Sequence, residues 1–238
     1  METHWIERDV TGTTMPVYVA EPAGTPKAGV IVIEEIFGVN SKIQKLTELA
    51  ASEGYLAVAP NILHRAEPYF EVPYDEEGRA KGFAAASAMK LTDMVADVTS
   101  AGAYLRERLG ESAEIGTWGF CFGGSVAFLS ATLPFVRCAV SFYGGQIARS
   151  PIPDRPAMIE MAAQVRAPIL FAFGGKDDHI PADDHAKIRK ELDARAKVYE
   201  FYVYPSEGHG FFREGPEGNE GARRVWPLVQ SFFKKYLA

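Results

Sequence analysis

The feature that most constrains this chain is an alternation, repeated from about residue 28 to the C-terminus, of short continuous apolar runs with longer stretches whose apolar residues recur every three or four positions. Ala28-Gly29-Val30-Ile31-Val32-Ile33 is apolar without a break. A strand tolerates that only when both its faces are covered, as in a parallel sheet between two helical layers. Glu34 and Glu35 interrupt the run, Asn40-Ser41 supplies a helix cap, and Ile43, Leu46, Leu49 and Ala50 keep helical spacing until Gly54. The pattern then repeats. Residues 55–59 form a second run that stops at Pro60, and Met94, Val98, Ala101, Tyr104, Leu105 and Leu109 read as a helix. Residues 113–118 read as a strand entering a glycine-rich turn, and residues 125–129 as the helix that follows. Further strands are predicted at Val136–Phe142, 168–173 and Tyr199–Tyr204, with helices near 183–194 and 222–236. Right-handed crossovers between such strands place helices on both faces, so the spacing predicts an α/β fold: a doubly wound, mostly parallel sheet, with residues 1–238 forming a single domain.

Residues 65–82 depart from this rhythm. They are acidic, contain Pro68, Pro73 and three aromatics, and read as an excursion over the sheet edge that serves as a lid or a substrate-binding wall. Composition narrows the function classes. Hydrophobic residues make up 47% and charged residues 24% of 238, which is the ordinary globular balance, and a mean hydropathy of -0.08 leaves no room for a bundle of membrane spans. Lys plus Arg number 25 against 31 Asp plus Glu, a formal charge of -6, so nucleic acid is not an expected partner. Cys121 and Cys138 are the whole cysteine complement, too few for a disulfide framework. The acidic N-terminus lacks the basic flank and apolar stretch of a signal peptide, so a cytoplasmic location is expected. No Walker A pattern and no G-x-G-x-x-G occurs, and no cofactor is expected. A monomer is expected, with a dimer as the alternative.

The sharpest local signal is Gly119-Phe120-Cys121-Phe122-Gly123-Gly124, between a predicted strand and a predicted helix. It has the form of a nucleophile elbow with cysteine in place of serine. From 22 glycines and 2 cysteines in 238 residues, Gly-x-Cys-x-Gly is expected by chance only roughly 0.02 times, before the strand-turn-helix setting is required. The turn aims the sulfur at the first amides of a helix, where a thiolate is stabilised. A structural cysteine in a glycine-rich turn is the competing reading.

A thiol nucleophile needs a base, and His209 follows the Tyr199–Tyr204 strand, at the edge where open α/β sheets place their sites. The base needs an acid to fix its tautomer, and Asp177 is the first acidic group after the 168–173 strand, with Asp178 its neighbour and rival. The chain order Cys121, Asp177, His209 is the nucleophile, acid, base order of α/β hydrolases. His179, Asp183 and His185 could be read as metal ligands, but no compact two-histidine motif is present and no metal is expected.

Glu35-Ile36-Phe37-Gly38-Val39-Asn40, the cysteine elbow, Gly175-Lys176-Asp177 and Gly208-His209-Gly210-Phe211 together resemble the dienelactone hydrolase family, over nearly the whole chain. The resemblance implies a single-domain α/β hydrolase of the carboxymethylenebutenolidase kind, which opens an unsaturated lactone in chloroaromatic degradation. It implies Cys121 as nucleophile, His209 as general base and then acid, and Asp177 as orienter of the imidazole. Glu35, selected over Glu34 by the motif register, would accept the thiol proton when substrate binds. The amides of Ile36 and Phe122 would form the oxyanion hole, Arg79 and Arg213 would hold a substrate carboxylate, and Tyr143 and Phe83 would line the pocket. Phe83 stands where the family pattern has tyrosine, Ala86 where it has tryptophan and Gly210 where it has serine, which implies a wider and less polar pocket. The expected partner is thus a small ester or lactone bearing a carboxylate. A promiscuous carboxylesterase of the same fold is the alternative activity, and a non-catalytic redox sensor using Cys121 is a further one.

Overall fold

The computed structural model describes residues 1–150, 152 and 155–237. Its strands are β1 (Glu2–Val10), β2 (Thr13–Glu21), β3 (Gly29–Ile33), β4 (Leu56–Pro60), β5 (Ile115–Phe120), β6 (Val136–Phe142), β7 (Ile169–Gly174) and β8 (Tyr199–Tyr204). They form one sheet in the order β1-β2-β4-β3-β5-β6-β7-β8. From β4 to β8 every neighbouring pair is parallel. The helices are α1 (Ser41–Ser52), α2 (Glu76–Ala88), α3 (Leu91–Leu109), α4 (Phe122–Ser130), α5 (Ala182–Asp193) and α6 (Glu220–Tyr236).

The two-faced burial inferred from the apolar runs is present: every residue of β3, β4, β5 and β7 is buried. The alternation of β5 shows what covers each face. Thr117 bonds Ser130 of α4 at 2.8 Å, whereas Trp118 stacks on Trp226 of α6 with ring centroids 5.4 Å apart. Local caps begin the helices where the sequence signals lie. The Asn40 side chain accepts from the Lys42 and Ile43 amides, and Asn219 accepts from Ala222 N–H at 2.8 Å.

Two elements were not expected. The antiparallel hairpin β1–β2 extends the sheet edge, with β2 pairing antiparallel to β4. Strand β1 is half exposed and rich in polar residues, so it lacks the continuous apolar run that marks the central strands. The second is α2, which begins inside the expected 65–82 excursion and runs past its end. Its buried residues are Gly78, Gly82 and Ala86, one small residue per turn, so it carries no stripe of large apolar side chains to betray it. Small residues let the helix backbone lie directly on the chain after β3. A Cβ at Gly82 would collide with the Ile36 carbonyl oxygen.

Replacing Gly82 with alanine is therefore expected to destabilise the protein by about 1–3 kcal/mol despite the better helix propensity of alanine, because overpacking against backbone outweighs it. Urea unfolding of Gly82→Ala beside Ala84→Gly, at an exposed position of the same helix, separates the two effects.

Candidate active site

The candidate residues converge because five parallel strands end on one edge of the sheet. Glu34 and Glu35 follow β3, Cys121 follows β5, Tyr143 follows β6, Asp177 lies just beyond β7, and His209 lies beyond β8. At β5 the chain must reverse into α4 within one residue. Cys121 takes φ 54° and ψ -113°, a backbone region costly for any residue with a Cβ. The turn closes only because its flanks are glycine: a Cβ at Gly119 would strike the Gly123 carbonyl, and one at Gly123 would strike the carbonyls of Ile33 and Glu34. Cys121 N–H donates to Phe142 O at 3.0 Å, which anchors the elbow to β6.

The loops carrying Asp177 and His209 are stitched together. Gly175 N–H donates to Tyr204 O at 2.7 Å and Lys176 N–H to Glu207 O at 2.8 Å. This brings His209 Nδ1 to 2.7 Å from Asp177 Oδ2, while Asp177 Oδ1 accepts the His179 amide at 2.9 Å. Burial acts to raise the Asp177 carboxyl, but the hydrogen bond and charge of His209 and the His179 amide outweigh it and hold the group below the usual carboxylate range. For His209, burial acts to lower the imidazole. The charge of Cys121, the hydrogen bonds to Asp177 and Cys121 and the charge of Asp177 prevail and push it up to about 10.

Glu35, only 1% exposed, points at Arg213. Arg213 Nε donates to its Oε2 at 2.7 Å and Nη2 to its Oε1 at 3.0 Å, a two-pronged ion pair. Tyr74 donates a third hydrogen bond, to Oε2, at 2.9 Å. Tyr143 has φ 40°, is fully buried, lies 5.1 Å from the His209 ring between centroids, and its hydroxyl has no partner among the described residues. Burial pushes that phenol well above its ordinary value. Ile36 is half-buried and Phe122 buried, and neither amide donates a backbone hydrogen bond among the described residues.

The remaining candidates lie at the margin. Arg79 is exposed on α2 and Phe83, further along the same helix, is 48% exposed. Asp178 is exposed, and Asp177 is the acid that meets the imidazole. Glu34 turns away from the site: its Oε1 accepts Leu63 N–H at 2.9 Å and its Oε2 accepts Asn61 Nδ2 at 3.0 Å. Burial pushes its carboxyl up to about 8 in spite of those donors. Cys138 is buried, which raises its thiol far above the ordinary value. His185 packs on Phe173, Asp183 is exposed, and no group of His, Cys, Asp or Glu able to hold a metal is found among the described residues. No helix of the described residues is long and apolar enough to cross a membrane. Two residues at the site were not expected there from the sequence. Tyr74 lies in no motif, and His179, whose ring stands perpendicular to His209 at 5.2 Å, was weighed only as a metal ligand.

A strained elbow at the end of a central parallel strand, with an acid and a histidine at the ends of later strands, defines the α/β-hydrolase fold. The profile of the Dienelactone hydrolase family matches residues 15–237, and the chain belongs to that family. A "Putative carboxymethylenebutenolidase" of Synechocystis is 34% identical over 224 residues, covering 92% of this chain and 91% of its own. A "Carboxymethylenebutenolidase" of Pseudomonas putida is 29% identical, covering 87% of this chain and 84% of its own. Among solved structures, a "Putative Dienelactone Hydrolase" from Klebsiella pneumoniae superposes with a TM-score of 0.85 at 28% identity, covering 99% of this chain and 100% of its own.

The buried Glu34 makes stability pH-dependent. Its carboxyl binds a proton more tightly folded than unfolded, so between the ordinary value of 4.5 and about 8 folding takes up a proton and stability falls as pH rises. Relative to Glu34→Gln, the wild type is expected to lose about 1.4 kcal/mol per pH unit within that window. Urea unfolding of both proteins at pH 5.5, 6.5 and 7.5 measures the difference, and parallel curves would contradict it.

Proposed function

We propose that this chain is a cysteine-dependent hydrolase that opens small lactones or cleaves small carboxylic esters through an acyl-thioester on Cys121. The observation that carries the reading is the conjunction of Cys121 at a strained elbow with a His209 imidazole raised by that cysteine and fixed at 2.7 Å on Asp177. Membership of the dienelactone hydrolase family supports the same reaction class.

In this reading Asp177 holds the imidazole so that its other nitrogen serves the sulfur. The Cys121 thiolate attacks the carbonyl carbon, and the charge that develops on its oxygen is met by the Phe122 and Ile36 amides. The carbon–oxygen single bond of the lactone or ester then breaks, and the departing oxygen takes the His209 proton. Water enters and gives a proton back to His209. The water oxygen bonds to the acyl carbon, the carbon–sulfur bond breaks to restore the thiolate, and the carboxylic acid formed gives up its remaining proton to solvent as it leaves. Glu35 is the acceptor of the Cys121 thiol proton when substrate binds. Residues 65–82 and α2 serve as a wall over the site, within a single domain spanning residues 1–238. A thiol nucleophile needs a reducing surrounding, which supports a cytoplasmic setting.

For the substrate, the reading is a small anion whose carboxylate meets Arg213 and Arg79, with Tyr143 and Phe83 along the pocket, as in the degradation of aromatic compounds. A second reading, a carboxylesterase acting on neutral esters, is favoured by one observation. Arg213 is already held by Glu35 through two hydrogen bonds, so an anionic substrate must compete for it whereas a neutral ester need not.

Cys121→Ala is expected to lower kcat/KM by at least about 10³-fold on both a dienelactone and p-nitrophenyl acetate. Wild-type rates on both would overturn the mechanism. Arg213→Ala separates the two substrate readings: a loss confined to the anionic lactone supports carboxylate recognition, and equal loss on the neutral ester supports the esterase.

A further inference from the structure

A cavity apart from the candidate active site lies between β1, α1 and the 65–82 excursion. Its volume is about 200 Å³, and it is lined by Trp5, Tyr69 and Phe70 together with Gln44, Asn61 and Glu71. No lysine, arginine or histidine of the described residues lines it. A water's share of liquid volume is about 30 Å³, so the space suits a ligand of roughly six or seven heavy atoms.

The walls are aromatic and acidic. The Trp5 ring, 37% exposed, meets Tyr18 and Tyr69 edge-on, each with its centroid 5.3 Å away. Both phenols donate to carboxylates, Tyr69 to Glu7 Oε1 at 3.1 Å and Tyr18 to Glu48 Oε1 at 2.7 Å. Exposed Glu71 supplies a third carboxylate. Backbone contact fixes this arrangement. Gly38 takes φ 83°, and a Cβ there would strike the Phe70 carbonyl oxygen, so the chain at Phe70 and Glu71 rests directly on the segment after β3. An aromatic face attracts a cation through its quadrupole, and nearby carboxylates add to the pull.

Asn61 gives the cavity its specific feature. It is 1% exposed, and its Nδ2 donates to Glu34 Oε2 at 3.0 Å and to Phe70 O at 3.2 Å. Those two acceptors fix which end of the amide is nitrogen. They leave Oδ1 as a buried acceptor with no donor among the described residues. A buried acceptor left unmet is costly, and a ligand bearing an N–H would meet it. Water would satisfy Oδ1 too, but it makes no use of the aromatic walls or the carboxylates around them.

We propose that this cavity binds a small primary ammonium ion, with an N–H on Asn61 Oδ1, its charge beside the Trp5 and Tyr69 rings and Glu71, and a short apolar tail against Phe70. The site does not depend on the reaction at Cys121, and none of the residues lining it belongs to the candidate active site. It backs onto that site all the same, because Asn61 is bonded to Glu34, the residue before Glu35.

The experiment is a titration of the wild-type protein with n-butylammonium, tetramethylammonium and 1-butanol at constant ionic strength. Binding is read from the Asn61 side-chain amide and the Glu71 backbone amide in proton–nitrogen correlation spectra, with the Asn61 signal assigned by its loss in Asn61→Asp. n-Butylammonium is expected to move both signals saturably. It should bind at least about fivefold more tightly than 1-butanol, which has no charge, and than tetramethylammonium, which has a charge but no N–H. Trp5→Leu, on a half-exposed strand, should weaken n-butylammonium about fivefold more than it weakens 1-butanol, whereas a merely structural change would weaken both alike. No saturable movement of the Asn61 signal overturns the proposal and leaves Oδ1 to water. Equal affinity for 1-butanol overturns it by making the cavity merely apolar, and equal affinity for tetramethylammonium by removing Asn61 from recognition. The three-ligand comparison uses the wild type alone, so it decides the matter even where Trp5→Leu fails to fold.

Discussion

The structure depends on the close backbone approach of the α4 N-terminus to the carboxyl ends of β3 and β6. Gly123 lies against the carbonyls of Ile33 and Glu34, and Gly124 against that of Phe142, at separations no side chain could enter. From this contact follow the φ of Cys121, the bond from its amide to Phe142, and the position of the first free helix amides beside the chain at Ile36. Strain of the kind seen at Cys121 costs on the order of 1–3 kcal/mol and survives only where the surroundings over-determine it. Here the surroundings are aromatic: Trp118, Phe120, Phe142 and Phe212 pack against one another beneath the elbow, with Trp226 of α6 closing the layer.

Above that layer the charges are sorted into two closed groups. Cys121, His209 and Asp177 form one, and Glu35, Arg213 and Tyr74 the other. The Asp177 and Glu35 carboxylates each have a partner, as a buried carboxylate requires. Consecutive carboxylates meet opposite fates for a local reason. Glu34 turns back to the Leu63 amide and Asn61, where burial raises it, while Glu35 turns into the site and meets a guanidinium. The net charge of -6 is thus no guide to the site, whose accessible cations are placed one by one.

Much of this was legible beforehand for physical reasons. A strand buried on both faces must be apolar without a break, so β3, β4 and β7 could be read almost to the residue, whereas the partly buried β8 was legible from its aromatic and β-branched run. The elbow could be read because only glycine fits its flanks, and the order Cys121, Asp177, His209 because each lies just past a recognisable strand. The hairpin β1–β2 was missed because an edge pair buries only part of its surface. Helix α2 was missed because its contact surface is backbone, made possible by Gly78, Gly82 and Ala86 rather than by a periodic apolar stripe.

The sequence by itself determined the central parallel strands, the glycine elbow and the placement of Cys121, Asp177 and His209 past successive strand ends, since these rest on local patterns: apolar runs, turn glycines and loops that begin where strands stop. Only the tertiary structure decided what Glu35 faces. Its partner Arg213 lies 178 residues away, and Tyr74 reaches it from a segment with no periodicity of its own. Such a contact depends on how separate loops converge over the sheet edge. No spacing rule within a single chain segment records that geometry.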